Sequence, residues 1–435
     1  MIKPIASFAK ARWEGIRASY WFIPSWMITV AFLVGYLCIS YVPAYIPDTL
    51  YQNYIPHIAA ETASDLISAI ASAIITATSI AFSMTLVALT MASSQFGPRL
   101  LQTFMDDRAT QIVLGALTST FIFCLSALHR ISVAETQMLV SSTLSLIVLA
   151  IGVLDTLILI FYIHHIARFI QVDEIISRCY CEFTSNLNSL FTMTESQNNI
   201  HNVAPGMLVN GDEQHAISFD ECGYVQTIDY NNLLVTNDHV IGVEVKVRGG
   251  DFVVPGQTVI LVHSSKTLSD EQISFYRSCI VTGSRRTSLQ DPEFSIKQLV
   301  EIALRALSPG INDPITAMSC SDRLTSALIL LAEQQFPNEA IVNTDNDIWM
   351  KRRTYTFSSV FNTCFDQIRQ AGSSHVDVML HLLTCLRTLR KQLPASCSEM
   401  IETQVDAINS LISPELRSEK DKTNIAAAVA AAQTA

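Results

Sequence analysis

The chain has 435 residues, 49% of them hydrophobic and only 15% charged, with a formal net charge of -11. So few charges are unusual for a soluble protein. The acidic balance, with no basic patch able to neutralise phosphates, argues against nucleic acid as a partner. The length permits two or three domains; the apolar excess lies before about residue 170, and the remainder reads like an ordinary cytosolic protein.

The leader 1–20 places Ile5, Phe8, Trp13, Ile16 and Tyr20 near a 3.6-residue period. That spacing fits an interfacial amphipathic helix, and a solvated start to the next segment fits as well. Four stretches then meet the length of about 20 residues that a helix needs to cross a bilayer: 22–41, 66–93, 112–128 and 138–163. Together, 21–167 is expected to form a four-helix transmembrane domain. No small-residue cleavage site follows the first stretch, so it is expected to stay as a span rather than be removed as a signal peptide.

Basic residues orient the spans. Lys3, Lys10, Arg12 and Arg17 precede the first, Arg99 and Arg108 lie between the second and third, and Arg168 and Arg178 follow the fourth. The 42–65 loop has no Lys or Arg, and the 129–137 loop has only Arg130. The expectation is a multi-pass protein of the bacterial inner membrane with both termini cytoplasmic, in contact with lipids. Trp21, Trp26, Tyr41 and Tyr45 fall where interfacial aromatics belong.

The second span carries hydroxyls at Ser64, Ser68, Ser72, Thr76, Ser79, Ser83, Thr90 and Ser94. At 100° per residue these eight positions share a sector of roughly 120°. Ala69, Ala73, Ala77, Ala81 and Ala88 lie mostly on another side. Two readings compete. Small hydroxylated residues let helices pack closely in lipid. Alternatively, the stripe is a wetted face that lines a pore around a symmetry axis. On the second reading, Ile75, Phe82 and Leu86 are gate candidates, and the gap between Ser83 and Thr90 is the driest stretch. Glu61 and Asp65 at one mouth favour cations, whereas Arg99 at the other does not.

The fourth span holds Asp155, and an intramembrane carboxylate is a candidate for ion binding or proton relay; a hydrogen-bonded structural Asp is the bland alternative. His164 and His165, in "YIHHIARFIQ", are candidates for pH sensing or for simple snorkelling at the interface.

A helical connector is expected over 168–204. "GYVQTIDYNNLL" and "GVEVKVRGGDFVVPGQTVILV" then alternate apolar and polar residues between Gly, Asn and Pro turns. Val243, Val245 and Val247 should face one side, and Glu244, Lys246 and Arg248 the other. A small β-barrel or sandwich is expected over 205–265. Its turn resembles that of biotinyl and lipoyl carriers, but the flanked lysine is missing, so carrier function is not expected.

Asp291-Pro292 and Asp313-Pro314 open helices, and a helical domain is expected over 266–415, with helices near 355–371, 374–392 and 396–413. The Ala-rich tail, 416–435, is expected to fray. The overall class is a mainly α membrane protein with an α+β cytoplasmic region.

The segment "RRTSLQDPEFSIKQLVEIALRALSPGINDPITA" gathers Arg285, Arg286, Asp291, Glu293, Glu301, Arg305, Asn312 and Asp313. Acids and bases in one segment raise the question of a hydrolase. There is no nucleophile elbow, P-loop or His/acid metal spacing, and helix caps and ion pairs explain the residues, so no enzyme is expected. Nor is a cofactor or metal: ten cysteines give no CxxC, and Cys179 with Cys181 lacks a second pair. Reduced thiols are expected, including Cys38 and Cys124 within the spans.

"SSQFGPRLL", "YIHHIARFIQ", "GDFVVPG" and "RTSLQDPEFSIKQLVEIALRALSPGINDPITA" together resemble the bacterial predicted-membrane-protein family catalogued as domain of unknown function 2254, over about 20–415. The resemblance implies a membrane location and no activity. The residues themselves favour a homo-oligomeric inner-membrane ion channel with the second span lining the pore. A non-conducting sensor or scaffold, whose cytoplasmic domain binds a partner or ligand, is the alternative. A proton-coupled transporter using Asp155 comes third, because no inverted repeat or Gly/Pro-broken helix pair is present.

Overall fold

The structure, a computed structural model, describes residues 21–45, 57–97, 107–133, 138–192, 200–202, 213–234, 239–343, 348–412 and 418–434. The expected interfacial helix, 1–20, and Arg99 lie outside the described residues. The chain divides into two compact units, Met1–Gln171 and Val172–Ala435.

Among the described residues, the first unit has four helices: α1 (Phe22–Tyr45), α2 (Ala60–Phe96), α3 (Arg108–Val133) and α4 (Met138–Phe169). No Gly or Pro interrupts α2, so its 37 residues run for about 55 Å. It stops at Gly97, whose φ of 108° is easy for glycine alone. The start of α3 is capped by Asp107, whose Oδ2 accepts the Thr110 N–H at 2.9 Å.

Small residues set the spacing of these helices. A Cβ at Gly115 of α3 would run into Met27 and the Pro24 backbone of α1. Along α2, Ala63, Ile67, Ala71, Ile74, Thr78, Ala81, Ala88 and Ala92 are buried. Part of this face packs with Phe123, Cys124 and Ala127 of α3 and with Leu144 and Val148 of α4. Further along, Ala81 and Ala88 meet Leu114, Leu117, Tyr162 and Ile166.

Among the described residues, four helices are long and apolar enough to cross a membrane: Ala60–Gln95, Arg108–Ser132, Met138–Phe169 and Pro314–Ala332. The first three are expected spans. The expected first span lies in α1, whose described apolar stretch, Phe22–Leu37, is shorter. Pro314–Ala332 belongs to the second unit. It carries Asp322 and Arg323 at its middle, and helices of that unit pack around it. Its apolar composition is therefore that of a central core helix.

The second unit opens with α5 (Val172–Thr192), inside the expected connector. Among the described residues nine strands follow: β1 (Ile200–Asn202), β2 (Glu213–Ser218), β3 (Gly223–Ile228), β4 (Val240–Val245), β5 (Phe252–Val253), β6 (Thr258–Ser264), β7 (Ile280–Gly283), β8 (Ala340–Asn343) and β9 (Ile348–Arg352). They form a six-stranded sheet, β1-β8-β9-β4-β6-β2, and a three-stranded sheet, β5-β3-β7. All pairings are antiparallel except β4 with β9, where Gly242 stands opposite Trp349 and Val245 opposite Arg352.

Neither strand order describes a closed barrel. The expectation of a β-domain confined to 205–265 is also too narrow, because β7, β8 and β9 come from further along the chain. No local pattern could announce that β9 would return beside β4. The alternation itself reads as expected: Val243, Val245 and Val247 are buried in one core with Ile217, Val225, Ile260, Val262 and Met350.

Short helices α6 (Tyr230–Leu233) and α7 (Asp270–Ser278) flank the strands. Between β7 and β8 stand α8 (Glu293–Ala306) and α9 (Pro314–Ala332), and after β9 come α10 (Phe357–Ala371), α11 (Val376–Gln392), α12 (Ser398–Ile412) and α13 (Glu419–Thr434). As the Asp-Pro pair implies, the Asp313 side chain caps α9 by accepting the Thr316 N–H at 3.1 Å. The tail expected to fray is instead the helix α13. Ile425, Val429 and Ala432 recur at helical spacing and are buried, and Ala432 O accepts a bond from Arg390 of α11. Alanine-rich sequence that supplies even a narrow apolar stripe finds a groove to cover.

Candidate functional site

The second span resolves into three sides. One is the buried face described above. A second bears the hydroxyls: Ser68, Ser72, Thr76, Ser79, Ser83, Thr90 and Ser94 are exposed, and Ser64 is half-buried. The third, also exposed, is apolar and includes Ile80, Val87 and Met91. The hydroxyl stripe is thus not what packs α2 against its own bundle. Of the gate candidates, Ile75 and Leu86 are exposed on the hydroxyl side and Phe82 is half-buried at its edge; Glu61 and Asp65 are exposed near the start of the helix.

The hydroxyls that do bind helices together lie elsewhere. Ser142 of α4 is buried, and its Oγ accepts the Ile58 N–H at 2.9 Å. Thr85 of α2 meets the Tyr162 hydroxyl of α4, which in turn donates to Ala81 O at 3.0 Å. Periodicity could not reveal these pairs, since Thr85 and Tyr162 are 77 positions apart.

Asp155 is only 4% exposed. Thr120 of α3 hydrogen-bonds its carboxyl, and the other oxygen, Oδ2, has no hydrogen-bond partner. The residue lines a groove of about 420 Å³ between α2 and α4, otherwise walled mainly by apolar side chains such as Ile70, Ala73, Ala77, Leu149 and Leu159. A carboxylate with an unsatisfied oxygen in such a place is held at a cost unless it is protonated or binds something.

The two histidines separate. His164 is exposed. His165 Nε2 lies 2.8 Å from Asp107 Oδ2, the same oxygen that caps α3, and its ring stacks on Phe161. His165 thus ties the end of α4 to the start of α3, a partnership hidden by a separation of 58 positions.

In the second unit the segment that raised the hydrolase question forms an ion-pair cluster. Asp291 and Glu293 are 1% and 2% exposed. Asp291 is bonded by Arg286 and lies 2.9 Å from the Tyr355 hydroxyl, which also reaches Gly249 O at 2.5 Å. Glu293 receives Lys297 at 2.6 Å, Ser359 at 2.9 Å and Arg248 at 3.5 Å. Burial alone would raise the Glu293 carboxyl, but the Lys297 bond and charge, with Ser359 and Arg248, outweigh it and hold it below its ordinary value. Burial and the neighbouring Asp291 push the Tyr355 hydroxyl up.

Gly250, with φ of 83°, lets the backbone pass this cluster; a Cβ there would strike Asp291 and Arg286. Arg285 is exposed, Arg305 pairs with Glu301 one turn away, and Asn312, at φ 52°, accepts from His375. Asp291 and Glu293 are spent on Arg286, Lys297 and Arg248, which joins the strands to α8 and α10.

The family model described as "Predicted membrane protein (DUF2254)" matches residues 17–388. The chain belongs to this family. It is 25% identical over 436 residues to uncharacterized protein Mb1321c of Mycobacterium bovis and to uncharacterized protein Rv1290c of Mycobacterium tuberculosis, covering 97% of this chain and 82% of each relative. Uncharacterized protein MT1328 of Mycobacterium tuberculosis is 25% identical over 446 residues, with the same coverage. No solved structure matches. Family and helices together make this a membrane protein with several apolar helices, and no enzymatic activity is indicated by either.

Proposed function

We propose that the protein is a homo-oligomeric ion channel of the bacterial inner membrane, with both termini cytoplasmic and the hydroxyl side of α2 facing a shared axis. The supporting observation is that α2 has two exposed sides of different chemistry. Ile80, Val87 and Met91 suit lipid, while the Ser/Thr side suits water or a second copy. Weak oxygen ligands along a pore let ions enter and leave. Glu61 and Asp65 at one mouth favour cations, and Ile75, Phe82 and Leu86 supply a dry constriction.

The test is conduction by the purified protein in planar bilayers, together with its oligomeric state. Thiol reagents should block current through variants with cysteine at Ser72, Ser79 or Ser83, and leave cysteine at Ile80 or Val87 conducting. A strict monomer, or equal block from both sides of α2, overturns the proposal.

A second reading is favoured by the unsatisfied Oδ2 of Asp155 in its groove: proton-coupled transport with Asp155 as the carrier group. Asp155→Asn should abolish pH-dependent flux into proteoliposomes; unchanged pH dependence removes this reading.

A further inference from the structure

Sequence spacing offers no metal site, yet the fold of the second unit brings together three donors of different kinds. His381 and Cys385 are four residues apart on α11, so they project from one face. Asp322 comes from the facing turn of α9. His381 Nε2 is 2.8 Å from Asp322 Oδ1, the Cys385 thiol is 3.9 Å from the same oxygen, and the three donor atoms lie within 4.8 Å of one another. We propose that Asp322, His381 and Cys385 bind a borderline divalent transition metal of the zinc class, clamping α9 to α11 and leaving a fourth position open to solvent.

Three features support the assignment. The first is the donor set: imidazole, thiolate and carboxylate are all ligands of Zn²⁺ and its neighbours, whereas Mg²⁺ and Ca²⁺ take oxygen. The second is distance. Tetrahedral bonds of about 2.0–2.3 Å put donor atoms about 3.3–3.5 Å apart, and the separations of 2.8 and 3.9 Å straddle that range. Small rotations of Asp322 and His381, both partly exposed, close the difference.

The third is preorganisation. Leu324 and Leu328 of α9 and Leu382 and Leu386 of α11 are fully buried, so packing fixes the two helices before any metal arrives. Cys385 itself is buried. A bound dication supplies the charge that lets this thiol give its proton to solvent.

Full-length, tag-free protein in detergent is to be titrated with Co²⁺ and then Zn²⁺. The expected result is one Co²⁺ per chain with a thiolate-to-cobalt charge-transfer band, displaced by Zn²⁺. Cys385→Ser should lose the band, and Cys181→Ser, which alters an exposed cysteine, should keep it. Asp322→Asn and His381→Gln alter partly exposed side chains, so they decide the matter if Cys385→Ser does not fold; each should weaken binding by about tenfold or more. No band in the wild type, a band that survives Cys385→Ser, or unchanged affinity in both other variants overturns the site.

Discussion

Glu293 shows how a buried charge is tolerated. Removing one member of a buried ion-paired set leaves the others uncompensated and costs about 3–5 kcal/mol. Glu293→Gln keeps the shape but strands Lys297 and Arg248, and a loss of that order is expected in thermal or denaturant unfolding of the full-length protein. The sign with pH follows from the depressed native value. In the unfolded chain this carboxyl titrates near its ordinary value of 4.5, so its contribution is complete above that pH and is lost as pH falls through the lower native value. Wild type should therefore shed stability below about pH 4.5 more steeply than Glu293→Gln does; parallel profiles would contradict the account. Gly250→Ala combines a forbidden φ with a steric clash, and should cost about 1–3 kcal/mol by the same measurement.

At the level of the helix, hydroxyls with the same chemistry have different consequences. Ser72→Ala and Ser79→Ala remove exposed groups that, among the described residues, are bonded only within α2, so each should change stability by less than about 0.5 kcal/mol. Ser142→Ala leaves the Ile58 N–H without its acceptor and should cost about 1 kcal/mol or more. Equal effects in unfolding experiments would mean that the two sets are not distinct. Much of this level was legible in the sequence. The long α2, the Asp313 cap and the Val243–Val245–Val247 face all follow from local periodicity and turn chemistry. Thr85 with Tyr162, Asp107 with His165, and β4 beside β9 were not legible, because each joins positions far apart in the chain. Among the candidate residues, the sequence could show the Ser/Thr stripe but not which side of α2 its neighbours would cover. For the tail, the apolar trio Ile425, Val429 and Ala432 was visible, but the groove it fills is assembled only in the fold.

Each of the two units has its own hydrophobic core, so calorimetry of the whole protein is expected to give two transitions rather than one. Glu293→Gln should lower only the transition of the second unit, and a single cooperative transition that moves as a whole would refute that independence. The two units also read differently. The first is written in spans, whose length and apolarity are local properties. The second is written in long-range pairings, and that is where expectation and structure part most.

The hydroxyls of Ser72, Thr76, Ser79 and Thr90 each donate their proton to a backbone carbonyl three or four residues back. With the donor committed inward, what remains for a visitor is oxygen lone pairs. Such a face offers electron density but few protons. In the proposed channel it would stand in for the hydration shell of a positive ion, whereas a negative ion would have to wait for a hydroxyl to rotate away from its own helix. Charge discrimination on this surface would then need no charged side chain at all.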